Sequence, residues 1–271
     1  MFIKEKSGMN IWTQKSIELA NQSNYLDLLY KIYPMSNNLR REMKKEDIQK
    51  LNEYYEMRDK NKLLNLLLRQ EVFPIKDSYI SYLKRDKSAI NRNPATVDRI
   101  VGILYEMGIN KIIDRTTAPK ETNRQIGPLF KNWIDRGTIG CAVTKNENEF
   151  LEYDGNIIFN SSDRAMQTFA KNHLGYLREK GLDFIGKFNN TYVIGEAKFL
   201  TDFGGHQNAQ YEDAMATLDT SLLKTDKKVL KIAILDGVLY ISSQNKMHSS
   251  LFSKDGIIIS AVLLREFLYS I

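Results

Sequence analysis

Cysteine is almost missing from this chain: Cys141 is the only one in 271 residues. No intramolecular disulfide can form, and no cysteine-based zinc site can be assembled. Histidine is scarce too, and His173, His206 and His248 are too scattered to suggest a His-rich metal centre. No apolar run approaches the roughly 18 residues of a membrane span. The opening residues, MFIKEKSGMNIW, carry no apolar segment of the signal-peptide kind. A soluble, cytoplasmic protein with no membrane partner is therefore expected. There is no P-loop, no GxGxxG at a strand-helix junction and no nucleophile elbow, so a small-molecule enzyme of those classes has no support. Internal repeats and low-complexity tracts are absent as well.

What is present is ample material for a core, with 42% hydrophobic and 10% aromatic residues. The formal charge is +6 and the sequence pI about 9.1, a balance that favours a polyanionic partner. The length allows one large domain or a core with a helical appendage.

Apolar positions recur at three- and four-residue spacing over 10–33, 45–69 and 77–84, as in Ile48, Leu51, Tyr55 and Leu63, Leu64, Leu67. Pro94 opens a further helix, N-capped from Asn93 and stopped by Gly108. Another spans Thr122 to Asp135. Residues 1–140 thus read as a helical region, followed by a connector at 141–155 and an α/β core at 155–271. In the core, Ser161-Ser162-Asp163 caps a helix reaching about Lys180, with Gly181 as its stop. Strands at 182–188 and 191–198 follow, then a short helix at 206–218. Val229–Leu235 and Val238–Ser242 read as a hairpin about Asp236-Gly237. A strand at 256–260 and a helix at 261–269 close the chain. The expected fold is a sheet flanked by helices.

The segment Gly181 to Lys198, GLDFIGKFNNTYVIGEAK, carries the chemistry. Folding it at Asn189-Asn190 brings Asp183, early in the first strand, beside Glu196-Ala197-Lys198 at the end of the second. Glu196 and Lys198 are two apart and share a strand face. Two carboxylates and an ammonium would converge there, with the Ala197 carbonyl as a third oxygen for a hard cation such as magnesium. Lys198 would stabilise charge on a phosphate or orient an attacking water. The plain alternative is an ordinary hairpin with solvated charges.

Asp183 followed by Glu196-Ala197-Lys198 resembles the PD-(D/E)xK nuclease signature, and residues 181–214 resemble type II restriction endonucleases beyond those positions. Leu182 stands where that signature has proline. The resemblance implies a mixed central sheet flanked by helices, with a helix-rich N-terminal region. It further implies Asp183 and Glu196 as magnesium ligands and Lys198 as the catalytic lysine. The activity implied is site-specific cleavage of double-stranded DNA, leaving 5′-phosphate ends. A homodimer and a companion DNA methyltransferase would go with it.

After the lysine, Gly204-Gly205 opens a helix in which Gln207 and Tyr211 resemble a Gln-x-x-x-Tyr element of some such nucleases. Gln207 and Gln210 are candidate DNA contacts. Two other segments could read DNA: Lys84, Arg85, Lys87, Arg92, Asn93 and Arg99, and then Asn123, Arg124 and Gln125. Their cations suit phosphates, and Asn, Arg and Gln suit base edges. Either could instead be a solvated face. Two rival functions remain open: a repair or junction-resolving nuclease with the same core, and a DNA-binding regulator without catalysis.

Overall fold

The structure, a computed structural model, describes residues 9–22, 24–34, 40–119 and 126–271. The chain divides into two compact units, one formed by 1–35 with 122–271 and the other by 36–121.

The chain starts with α1 (Ile11–Ala20) and α2 (Tyr25–Ile32). The unit at 36–121 is helical among its described residues: α3 (Lys45–Glu56), α4 (Lys60–Leu68), α5 (Ser78–Arg85), α6 (Ala89–Arg92), α7 (Pro94–Met107) and α8 (Ile109–Thr116). These helices close over their own core, in which Leu51, Leu63, Leu64, Ile100, Leu104 and Ile112 are fully buried. The remaining helices are α9 (Ile126–Asp135), α10 (Glu147–Glu152), α11 (Asp163–His173), α12 (Gly205–Asp219), α13 (Lys246–Ser250) and α14 (Leu264–Ser270).

Six strands form one sheet in sequence order: β1 (Ala142–Thr144), β2 (Ile157–Phe159), β3 (Phe184–Phe188), β4 (Thr191–Leu200), β5 (Lys228–Gly237) and β6 (Ile257–Ile259). The pairs β2·β3 and β3·β4 are antiparallel, whereas β1·β2, β4·β5 and β5·β6 are parallel. The fold is the expected mixed sheet flanked by helices. Alternate strand residues feed different cores, as the pleat requires. Ile185 and Ile194 pack with Phe150 of α10 and Phe169 of α11. Their neighbours Phe184 and Val193 join a larger core with residues of α1, α2, α9, α12 and α14.

Several elements differ from the sequence reading. The periodic stretch 45–69 is two helices, because Arg58 turns left-handed at φ 53° and the Asp59 carboxylate caps α4 through the Lys62 N–H at 3.0 Å. The stretch 10–33 breaks likewise, where Asn21 bonds back to the Ile17 carbonyl at 2.7 Å. Of the helix expected from Thr122, the part at 122–125 lies outside the described residues. The connector at 141–155 contains β1 and α10. Helix α11 ends at His173, short of Lys180, since the chain turns at Leu174-Gly175 to bridge Tyr176 with Leu222. The first two helices pack into the core of the sheet, so the compact units do not divide at residue 140.

The largest correction concerns Asp236-Gly237, which is no hairpin turn. Strand β5 runs through both residues in parallel register with β4, and a 3-10 turn at Val238–Tyr240 follows. Asp236 is fully buried and anchors the N-terminal helices. It accepts from Tyr25 Oη at 3.1 Å, Tyr33 Oη at 3.0 Å, Ser260 Oγ at 2.5 Å and the Ala261 N–H at 3.3 Å. Gly237 has φ 101°, and a Cβ there would lie 2.0 Å from the Leu200 carbonyl oxygen. Glycine therefore marks a close backbone approach rather than a tight turn.

Candidate active site

The hairpin β3–β4 turns on Asn189 and Asn190, both left-handed at φ 46° and 60°. This is the two-residue turn whose twist matches that of the strands. The turn fixes the register Phe184↔Gly195, and the Asp183 N–H continues the pairing to the Gly195 carbonyl at 3.1 Å. Asp183 thus stands opposite Glu196 at the strand end. Gly195 has a reason of its own to lack a side chain, since a Cβ would lie 2.5 Å from the Ile232 carbonyl oxygen of β5. Glu196 and Lys198 take the same face as Ile194, two and four residues on.

The three side chains meet. Lys198 Nζ donates to Asp183 Oδ2 at 2.6 Å and to Glu196 Oε2 at 2.7 Å. Asp183 Oδ2 also accepts the Ala197 N–H at 3.0 Å. Glu196 Oε1 is buried and has no hydrogen-bond partner among the described residues. An unsatisfied buried carboxylate oxygen is costly and demands an explanation.

Electrostatics separates the two acids. Burial pushes Glu196 up, the Asp183 charge adds to this, and the carboxyl reaches about 7 against an ordinary 4.5. Burial also acts against ionisation of Asp183, but the Lys198 ammonium, with hydrogen bonds from its neighbours, outweighs it and holds that carboxyl below 3.8. Lys198 is raised: desolvation opposes its charge, and the two carboxylates overcome it.

Among the described residues, no cluster of three or more His, Cys, Asp or Glu forms a closed metal cage. The donor set here is smaller and harder. It comprises the Asp183 and Glu196 carboxylates and the Ala197 carbonyl, which shares a strand edge with the Ala197 N–H directed at Asp183. Two carboxylates, one of them with an oxygen left unpartnered, and a carbonyl fit magnesium, which keeps several waters of its own.

Around this group, a cavity of about 470 Å3 reaches Asp183 and is lined by Lys131, Asn132, Asp135, Lys145 and Ser161 among others. Buried Asn160 holds it in shape, donating to the Lys131 carbonyl at 2.9 Å and to Asp135 Oδ1 at 2.6 Å. On the loop before Asp183, Arg178 donates to Asp213 Oδ1 at 3.2 Å, and Lys180 pairs with the same carboxylate. Burial lowers the Lys180 pKa, and its ammonium feels the charges of Glu196, Lys198 and Asp183. No local pattern marks these residues as parts of one site, because they come from separate segments of the chain.

Other expected contacts are engaged within the chain. Gln207 is buried, its Oε1 accepting from the Thr201 N–H at 3.3 Å and its Nε2 donating to Thr201 Oγ1 at 3.2 Å. It braces the loop after β4. Gln210 is half-buried and pairs with His206 at 3.1 Å. Lys84 Nζ donates to the Gln70 carbonyl at 2.8 Å, and Asn93 to the Ala89 carbonyl at 2.7 Å. Arg92 pairs with Asp86 and Arg99 with Asp77, each at 2.6 Å. Arg85 and Lys87 are exposed. Asn123, Arg124 and Gln125 lie outside the described residues.

The sequence model of the Tsp45I type II restriction enzyme family matches residues 10–271. No curated protein and no solved structure matches the chain. Because the family match spans both units and the whole acidic cluster, the chain belongs to the Tsp45I type II restriction enzyme family, whose members cut DNA at specific sites.

Proposed function

We propose that the chain is a magnesium-dependent endonuclease that hydrolyses one phosphodiester in each strand of duplex DNA at a short specific sequence, leaving 5′-phosphates. The observation that carries this reading is the meeting of Asp183, Glu196 and Lys198 within hydrogen-bond distance at one strand end. Asp183 and Glu196 would hold the cation, with the Ala197 carbonyl beside them. What magnesium supplies when bound is neutralisation of phosphate charge and a lowered pKa for water. Lys198 keeps its proton at Nζ and stabilises the negative charge that builds on a phosphate oxygen. Glu196 Oε1, left without a partner, is the acceptor free to take the cation or a water proton. The chain would act in the cytoplasm as a homodimer, one site per strand, with a DNA methyltransferase protecting host DNA.

The test is incubation with unmethylated phage DNA, with magnesium or with EDTA, followed by electrophoresis. Discrete magnesium-dependent fragments are expected, and Glu196→Ala should abolish them while leaving folding and DNA binding intact. A smear would replace sequence specificity with structure-directed or nonspecific cutting. Full cleavage by folded Glu196→Ala would remove that residue from the site.

A further inference from the structure

The helical unit carries a second polar site. Helix α4 buries Leu63, Leu64, Leu66, Leu67 and Leu68. Asn61, Asn65 and Arg69 fall at four-residue spacing on its other side, one above the next. With Lys62, Tyr54 of α3, and Lys87 from between α5 and α6, they line a cavity of about 340 Å3. No carboxylate is among the lining residues. Lys62 Nζ reaches Asp59 just outside at 3.0 Å and stands 5.6 Å from the Tyr54 ring. An exposed pair of that kind is weak and exchanges readily. Arg69 and Lys87 are exposed, and neither side chain has a hydrogen-bond or ion-pair partner among the described residues.

The contrast with neighbouring cations gives this its meaning. Lys84, Arg92 and Arg99 are each held by an acceptor of the same unit. Arg69 and Lys87 instead line a shared concavity with Lys62. The buried leucine face fixes the backbone of α4, and with it the side of the helix on which Asn61, Asn65 and Arg69 lie. Guanidinium, ammonium and amide groups around one hollow match the oxygens of a phosphodiester.

We propose that this cavity seats a backbone phosphate of duplex DNA, held by Lys62, Arg69 and Lys87 with Asn61 and Asn65 donating beside them. The site rests on the reading of the chain as a DNA-cutting enzyme, and deepens it by giving the helical unit a sequence-independent anchor.

The test measures affinity for a mixed-sequence 30-base-pair duplex in EDTA across a range of salt, using the full chain. Arg69→Gln and Lys87→Gln should each reduce the slope of log affinity against log salt by about 1, weakening binding about tenfold at 0.1 M salt. Arg69→Lys should keep the wild-type slope. Circular dichroism and unchanged melting temperatures would show that these surface variants fold. Wild-type slopes in both Gln variants overturn the proposal. So does a changed cleavage site with an unchanged slope, which would make the contact one to a base. Wild-type protein that binds the duplex but cuts no DNA sinks the endonuclease reading alone, and the slopes still decide this one. Wild-type protein that binds no duplex removes both.

Discussion

Glu196 is the residue on which the proposed chemistry turns, and its environment has consequences for stability as well. Burial and the Asp183 charge raise its carboxyl to about 7, so the folded protein keeps a proton that the unfolded chain has released. For a group raised in the folded state, the stabilisation is complete below the unfolded value of 4.5 and lost as pH rises through 7. In EDTA, Glu196→Gln should therefore match wild type near pH 4.5 and exceed it at pH 8. The gap should be on the order of 3 kcal/mol, at roughly 1.4 kcal/mol per pKa unit. Urea melts at the two pH values measure it, and a pH-independent gap would contradict the account. Asp183, Glu196 and Lys198 were legible in the sequence because one short hairpin brings them together. The Asn pair sets the turn, and the turn sets the register. Gln207 was not, since a polar residue near a helix start carries no mark saying that its amide will brace Thr201 rather than face solvent.

Among elements, strand β5 shows where local sequence misleads. Asp-Gly between two apolar runs is the dipeptide of a hairpin turn. Here the carboxylate is needed by Tyr25 and Tyr33, more than 200 residues away in sequence. Tertiary demand overrides turn propensity, and no local window contains those partners. Asp236→Ala leaves four buried donors without their acceptor and should cost at least about 3 kcal/mol. Tyr33→Phe removes one of them and should cost about 1 kcal/mol. Denaturant midpoints compare the two, and equal small losses would refute the anchoring role. β1 and β2, three residues each, are too short to show a periodicity. α3 and α4 read as one helix because apolar spacing continues across Arg58 and Asp59, whose backbone breaks it.

At the scale of the molecule, the proposed cutting of both strands at one place calls for two copies of the Asp183, Glu196 and Lys198 cluster. A twofold-symmetric pair is the simplest assembly. Sedimentation of the Glu196→Ala protein with a duplex bearing the cleavage site should show two chains per duplex. A single chain per duplex would require the strands to be cut in turn. The two compact units each have an apolar core, and the net charge of +6 over the whole chain suits a polyanion.

The sequence by itself determined the α/β class, the helical first half, the hairpin and the acidic cluster with its lysine. Each of these depends on periodicity, turn chemistry or spacing within a few dozen residues. The tertiary structure decided what depends on distant partners. It set the six-strand order, the placing of α1 and α2 against the sheet and the burial of Asp236 beneath two tyrosines. It also made the hollow where Arg69 of one helix meets Lys87 of a later loop. Burial and convergence arise only when remote segments pack, and no local pattern encodes which segments those will be.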